Sequence, residues 1–505
     1  MQTRWLSRIT WLYLILPFII FCMGWLRLTI ALPLVAVILW AVWQILKQAP
    51  ADQPSIHFSR STFYLLLAAG IWVFLSGVGG YAFQNWDHHW RNAVLHDLIS
   101  YDWPVVYSAP DKGPINVLVY YLGYWLPAAL AGKLLGWKFA NFILFLWTWL
   151  GVVLTVLHLN LKLKTSVLKT TLLFIFFSGM DVLGTLFFAQ DYPTLWPPIT
   201  HLEIWSGSLQ YSSFTTQLFW VFNQAVPAWL CIALILESDS LLSDRQGQVI
   251  QITQKIFIWA LCFFFAPLAS IGLFPYLLIE WIRRTDFKSP FKNIRFDLLF
   301  ASAIVFIIPY LFFSSNPAAQ ERGFQSIALK DFLVFFLLEG GILWLLLAPR
   351  LWRDPRWAVT GLLLCCIPFI QFGSGRDFVM RASIAPLLYL MIMVGETIFQ
   401  KTSNRILLFA IYFLLLLGSF TPLYEINRSA YRTFEYYFLL DASQRVQPTS
   451  EVTTHLEQPG APESEHPNML VADEIQTFKF MDDKLSKNFI ANVRQSLYYR
   501  YLSPH

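Results

Sequence analysis

Between Gln84 and Trp103 the chain reads QNWDHHWRNAVLHDLISYDW, with three aspartates, three histidines and one arginine in twenty residues. The stretch follows an apolar run, so its ionisable groups crowd at a membrane boundary. A carboxylate there is partly desolvated. Desolvation disfavours the charged form, raises the pKa and suits Asp87 to accept a proton. Read as a helix, the stretch aligns Trp86, Trp90, Val94 and Leu98 every four residues. It sets Asp87 one turn before Arg91 and puts His88, Asn92 and His96 on another flank. The pattern predicts an amphipathic helix lying in the membrane interface, with His88, His89 and Arg91 beside the acid. The plainer reading of the same residues is a wet polar face.

Three further stretches carry chemistry. "SAPDKGPINVLVYY" places Asp111 and Lys112 before a Gly-Pro turn, and "AQDYPTLWPPITHLEIWSG" holds Asp191, His201 and Glu203 without one Lys or Arg. "FGSGRDFVMRAS" holds Arg376, Asp377 and Arg381. Two arginines so close can grip a phosphate in bidentate fashion. Alternatively, each snorkels to headgroups at the end of a span. Asn223 and Gln224 sit inside an apolar run just before Pro227. They line a cavity below the site, or they bond between helices.

The elements that must position these residues are membrane spans. Of 505 residues, 56% are hydrophobic and only 13% are charged. Many apolar runs reach the length of about 20 residues that crosses a bilayer. The expected fold is an all-α polytopic membrane protein with about 13 transmembrane helices. Expected spans are Trp11–Leu26, Leu28–Leu46, Thr62–Gly80, Phe139–Leu157, Leu172–Ala189 and Thr215–Leu236. A hairpin within Ile256–Trp281, broken near Pro267, follows them. Leu298–Phe313, Ile327–Leu347, Trp357–Gln371, Ile384–Val394 and Ile406–Phe420 complete the set. The run Ile115–Ala131 is long enough to cross. Taking it as an interfacial or re-entrant helix puts the clusters Lys162–Lys169, Arg283–Arg295 and Arg350–Arg356 all inside, as the positive-inside rule asks.

The N-terminus is then cytoplasmic, and every chemistry-bearing loop faces outward, as does the C-terminus. The expected division is an N-terminal hairpin with its inner loop over 1–61 and a membrane domain over 62–424 with a large outer loop at 81–138. The tail at 425–505 has a Pro/Glu/Ser-rich linker and a small cap from Met469 onward. The five cysteines fall in apolar runs without CxxC spacing, which excludes a disulfide framework or thiolate metal site. The net charge of +5 is spread through loops, which fits membrane orientation and gives no reason to expect nucleic acid.

A span, an outer loop opening on an acid, an interfacial helix and then "DKGPINVLVYYLGYW" resemble the GT-C superfamily. These are polyprenyl-phosphate-sugar-dependent membrane glycosyltransferases, including protein O-mannosyltransferases and lipid A aminoarabinose transferases. The resemblance covers most of the membrane region in architecture and two short motifs in sequence. This chain departs in its extra N-terminal hairpin, in "DHH" where an acidic pair is usual, and in Gly113–Pro114 where two prolines are common.

The resemblance implies inverting sugar transfer on the outer face of a bacterial plasma membrane. The donor is a lipid-linked sugar, a polyprenyl phosphate, and the acceptor is an envelope glycan, lipid or protein. It implies Asp87 as the base, and Arg376, Arg381 and Lys112 as cations for the leaving phosphate. Some relatives use a divalent metal such as Mg or Mn, for which Asp87, His88 or His89, Asp191, His201 and Glu203 are the available ligand types. The rivals are a lipid or glycan transporter, an O-antigen ligase or polymerase, and a non-catalytic assembly subunit. A transporter buries ionisable groups within its spans, where this chain offers only Asp181 and Glu339.

Overall fold

A backbone N–H or C=O left unpaired in hydrocarbon is costly, so apolar runs of this length close their hydrogen bonds within helices. The computed structural model describes residues 3–48, 60–107, 116–189, 196–198, 201–207, 209–238, 245–284, 294–316, 322–373, 376–399, 404–439, 488–492 and 496–504. Among them, nine helices are long and apolar enough to cross a membrane, and three shorter apolar helices accompany them.

The chain opens with α1 (Thr3–Trp25), α2 (Leu28–Gln48) and α3 (Arg60–Leu75). The first large loop holds α4 (Asp87–Ser100), β1 (Val106–Tyr107), β2 (Asn116–Leu118), a 3₁₀ turn and α5 (Leu126–Leu135). Then come α6 (Trp137–Leu163), α7 (Val167–Phe176), α8 (Asp181–Phe188), α9 (Phe214–Ser238), α10 (Arg245–Phe265), α11 (Pro267–Arg284) and α12 (Phe296–Phe313). After β3 (Arg322–Phe324), a π-turn at Leu337–Gly341 joins α13 (Leu329–Phe336) to α14 (Ile342–Leu351). Next are α15 (Pro355–Cys366), β4 (Ile370–Phe372), α16 (Asp377–Ala382), α17 (Ile384–Phe399), α18 (Arg405–Gly418) and α19 (Phe420–Phe434). The chain ends on β5 (Ile490–Asn492) and α20 (Leu497–Tyr501).

Burial ranks the helices. The spans Phe214–Leu236 and Asp377–Phe399 are each 94% buried, against 28% for Leu28–Lys47 and 22% for Arg405–Leu439. Thus α9 and α16–α17 form the centre of the bundle. Residues such as Trp40, Ile406, Phe409 and Phe413 leave apolar surface on the periphery, where lipid replaces protein as the neighbour.

Several expectations need correction. The run Ile115–Ala131 is neither a span nor one interfacial helix: its first residues form β2, and only Leu122–Leu135 is helical. The stretch Leu172–Ala189 is interrupted between α7 and α8. There Met180 N–H donates to Leu338 O across 2.9 Å, instead of continuing a helix. The run Ile327–Leu347 breaks similarly at its π-turn. The hairpin near Pro267 stands, with Pro267 as the first residue of α11, where its missing N–H costs no helical bond.

The boundary at 424/425 falls inside α19, which packs on α3, α7, α8 and α9 rather than trailing away as tail. Two small sheets add to the helices. β1, β2 and β5 form one antiparallel sheet, with Val117 opposite both Val106 and Ala491. β3 pairs with β4 in the other. The C-terminal residues therefore return to the first large loop. Arg27 Nε donates to Ser503 O at 2.9 Å, and Tyr498 OH donates to Trp25 O at 3.0 Å.

Candidate functional site

The loop leaving α3 must fold back sharply to start α4. Gly77, at φ +81, permits this: a Cβ there would lie 2.4 Å from Phe83 O. Gln84 Nε2 closes the turn on Gly77 O at 2.8 Å, and Asn92 Nδ2 donates to Gln84 Oε1 at 2.9 Å. The loop docks on α9 through a kink at Val221 (φ −134°, ψ 35°), where the Phe219 carbonyl is met by side chains. Asn85 Nδ2 donates to it at 2.8 Å, and His88 Nε2 lies 3.1 Å away.

These bonds decide what each polar residue of α4 does. The helix is not a wet interfacial one, because both faces are covered: Trp90, Val94 and Leu98 are buried, and so are His88, Arg91 and Asp97. Burial first and the Arg91 charge second pull His88 down to about 3. It is therefore a neutral imidazole donating to a carbonyl. Burial brings His89 down to about 4, with its ring edge-on to Trp90. Asp97 accepts a 2.6 Å bond from Tyr107 OH and ties β1 to the helix.

Asp87 Oδ2 accepts from Arg91 Nη2 at 2.7 Å. An equivalent pair at the same i, i+4 spacing, Asp377–Arg381, stands on α16. The two pairs share a field. Burial raises the Asp87 pKa; Arg91 and then Arg381 oppose the rise, while Asp377 adds to it. Tyr120, from the segment after β2, feels all four charges, and burial raises its pKa too. Tyr121 beside it feels Arg381 and Asp377. Phe489, just before β5, packs on Tyr120 at 4.4 Å and stacks on Trp90 at 5.7 Å, covering this cluster.

A second polar cluster adjoins the first. Arg376 Nη1 reaches Gln210 Oε1 at 3.5 Å, and Gln210 Nε2 donates to Glu203 Oε2 at 2.9 Å. Glu203 Oε1 also accepts from Ser213 N–H at 2.9 Å and Thr216 Oγ1 at 2.7 Å. His201 Nε2 stands 3.8 Å from Glu203, and His201 Nδ1 bonds Glu425. Burial acts to lower His201, but Glu425 outweighs it and holds the imidazole above its ordinary value. Arg428 Nη1 donates to Glu425 Oε2 at 3.1 Å, with its guanidinium 5.4 Å from the Phe83 ring centroid and 5.5 Å from that of Trp220. A small cavity with room for about one water molecule opens between Asn85, Phe83, Glu425 and Arg428.

Burial first, then the Asp181 charge, pushes Glu203 up to about 7 from 4.5. Between those values the folded chain keeps a proton that the unfolded chain has released, so this group's contribution to stability is lost as pH rises through the window. Melting should therefore fall more steeply between about pH 5 and pH 8 in the wild type than in Glu203→Gln. Parallel profiles would remove Glu203 from this account.

Of the residues expected at a site, Asp87, Arg91, Asp377 and Arg381 come together. Glu203, His201 and Arg376 meet one another through Gln210, as a separate group. His88 and His89 are built into the packing. Asn223 and Gln224 are fully buried in α9, and their amide atoms have no hydrogen-bond partner among the described residues. Asp111, Lys112 and Asp191 lie outside the described residues. Sequence reasoning missed Tyr120, Tyr121, Glu425 and Arg428. The last two had a signal, because Thr421, Glu425, Arg428 and Arg432 are spaced as one helix face. Among the described residues no group of three or more His, Cys, Asp or Glu could hold a metal ion. Asp87 is bonded to Arg91, and Glu203 is filled by hydroxyl, amide and backbone donors, so the described members of this set do not fit Mg or Mn. No protein-family model, curated protein or solved structure matches the chain.

Proposed function

We propose that the chain is an integral membrane glycosyltransferase of GT-C type. It moves a sugar from a polyprenyl phosphate to an acceptor hydroxyl on the extracytoplasmic face of a bacterial plasma membrane. The nine long apolar helices and the three shorter ones among the described residues support this reading, which takes about thirteen crossings in all. The N-terminus is cytoplasmic and the C-terminus extracytoplasmic. One observation carries the reading: Asp87, from the first large loop, lies in the combined field of Arg91 and the Asp377–Arg381 pair on α16, nearly 300 residues later in the chain.

The chemistry follows from that grouping. Arg91 holds Oδ2 of Asp87, so the other carboxylate oxygen meets the acceptor hydroxyl. The acceptor oxygen forms a bond to the anomeric carbon as the bond from that carbon to the phosphate oxygen breaks, with inversion. Its proton passes to Asp87. The polyprenyl phosphate leaves with an added negative charge, which Arg381 and Arg376 offset. The water-sized cavity beside Asn85 is far below the usual range for ligand pockets, roughly 300–1,000 Å³. On this reading the donor reaches the Asp87 cluster by displacing side chains packed over it, such as Phe489 on Tyr120 and Trp90.

The test incubates membranes bearing the chain with a panel of radiolabelled polyprenyl-phosphate sugars. Label should pass to an acceptor from at least one donor. A panel that yields no transfer, while the same donors cross the bilayer faster in vesicles holding the chain, supports a carrier instead. That second reading draws on Asp181 and Glu339, which are buried where spans are interrupted.

A further inference from the structure

Two apolar segments of this chain are interrupted, and the interruptions meet. They are residues 177–180 between α7 and α8 and the π-turn Leu337–Gly341. The continuous helix of α18 and α19 packs against the first of them. A Cβ on Gly179 would lie 2.3 Å from Glu339 Oε2, and one on Gly418 would lie 2.6 Å from Ser178 O. Each of the three segments delivers one polar side chain to the junction: Asp181, Glu339 and Thr421.

Both acids are buried, at 1% and 2% exposure. Asp181 Oδ2 accepts from Ser178 Oγ at 3.2 Å and Thr421 Oγ1 at 3.0 Å. Glu339 Oε1 accepts from Trp205 Nε1 at 2.9 Å. Glu339 Oε2 is buried with no hydrogen-bond donor among the described residues; it lies against the backbone of Gly179, two residues before Asp181, and it feels the Asp181 charge. Two ionised carboxylates offer only acceptors to one another. Facing each other in a low dielectric, they leave an oxygen unsatisfied and two like charges in contact. A single proton between them removes both penalties.

The surrounding charges do not relieve the pair by another route. Glu203 is a further acid nearby, which adds negative charge once it ionises above about pH 7, and Tyr211 is a neutral neighbour of Glu339. The cations of this region, His201 and Arg428, are both engaged by Glu425. Lys330 and Asp331 on α13, Arg350 on α14 and Arg405 on α18 stand more than about two turns along their helices from Glu339 or Thr421.

We infer that Asp181 and Glu339 form a proton-binding site, one proton shared by two carboxyls, which latches two interrupted membrane segments together. The pair titrates as a unit. Separating α8 from the α13–α14 turn then requires that proton to leave or exchange, so motion at these breaks is linked to pH. This inference is independent of sugar transfer.

The test is infrared spectroscopy of the purified full chain in lipid, in H₂O and in D₂O, at about pH 9, where Glu203 has released its proton. Wild type should show a protonated-carboxyl C=O band that shifts in D₂O. The band should be lost in Glu339→Gln and equally in Asp181→Asn, and it should persist in Glu203→Gln. Should one variant fail to fold, the other removes the opposite half of the pair and gives the same reading. Difference spectra without that band for either acid, or loss of the band only in Glu203→Gln, would overturn the inference.

Discussion

Replacement of Asp87 by asparagine is expected to cut sugar transfer by about 10²–10⁴-fold, the usual contribution of a positioned general base. The substitution keeps size and shape, and an amide still accepts from Arg91, so α4 should stay in place. What is lost is the basic oxygen. The wild-type rate carries a second signature. Burial holds the Asp87 pKa above the ordinary carboxylate range despite Arg91 and Arg381. A base must be ionised to work, so transfer should rise with pH as Asp87 loses its proton and then level off. Arg381→Ala removes a charge that favours ionised Asp87, so it should move that rise to higher pH as well as slow the reaction. Both effects are read from initial rates of label transfer against pH. Equal transfer by wild type and Asp87→Asn would end the assignment of the base.

Arg428→Leu is expected to destabilise the fold by about 3–5 kcal/mol, the cost of stripping one partner from a buried ion pair. Glu425 is 2% exposed and would keep only His201 as a cationic partner. The guanidinium also fills the space between Phe83 and Trp220, so packing is lost along with charge. Thermal unfolding in detergent or lipid reads the effect. The double variant Glu425→Leu/Arg428→Leu should recover part of the loss, because it leaves no unpaired carboxylate behind. A single-variant loss below about 1 kcal/mol would show that water reaches Glu425 and that the pair is not sealed.

The two predictions probe two sides of one loop, and they differ in how far sequence reasoning could reach them. Asp87 was legible because an acid one residue past an aromatic at the end of an apolar run is conspicuous, and its partner Arg91 lies at helical spacing. Glu425 and Arg428 share a similarly readable helix face. They escaped because hydropathy falls after Phe420 and the polar residues there look like the start of a soluble tail. In the fold that helix is roofed by α3, α7, α8 and α9, and its charges compensate one another instead of meeting water.

Breaks in spans were the hardest to foresee. Gly179 and the Gly340–Gly341 pair sit in runs apolar enough to be read as continuous helices. Only contact between the two runs, with Met180 N–H donating to Leu338 O, gives their unpaired backbone groups a partner in place of water. Likewise, the helical reading of Ile115–Ala131 failed because β2 finds its second neighbour, β5, more than 350 residues later.

By itself, the sequence determined that this is a polytopic helical membrane protein, because runs of apolar residues leave the backbone no other way to satisfy itself in lipid. It also determined the local charge pairs, since residues four apart on a helix are neighbours whatever the rest of the chain does. Tertiary structure alone decided which of those pairs face one another, that His88 packs as a neutral ring, and that Phe489, just before the chain's last strand, covers Tyr120 and Trp90. Those outcomes depend on contacts between residues hundreds of positions apart, and burial there sets both the protonation and the pairing of each group.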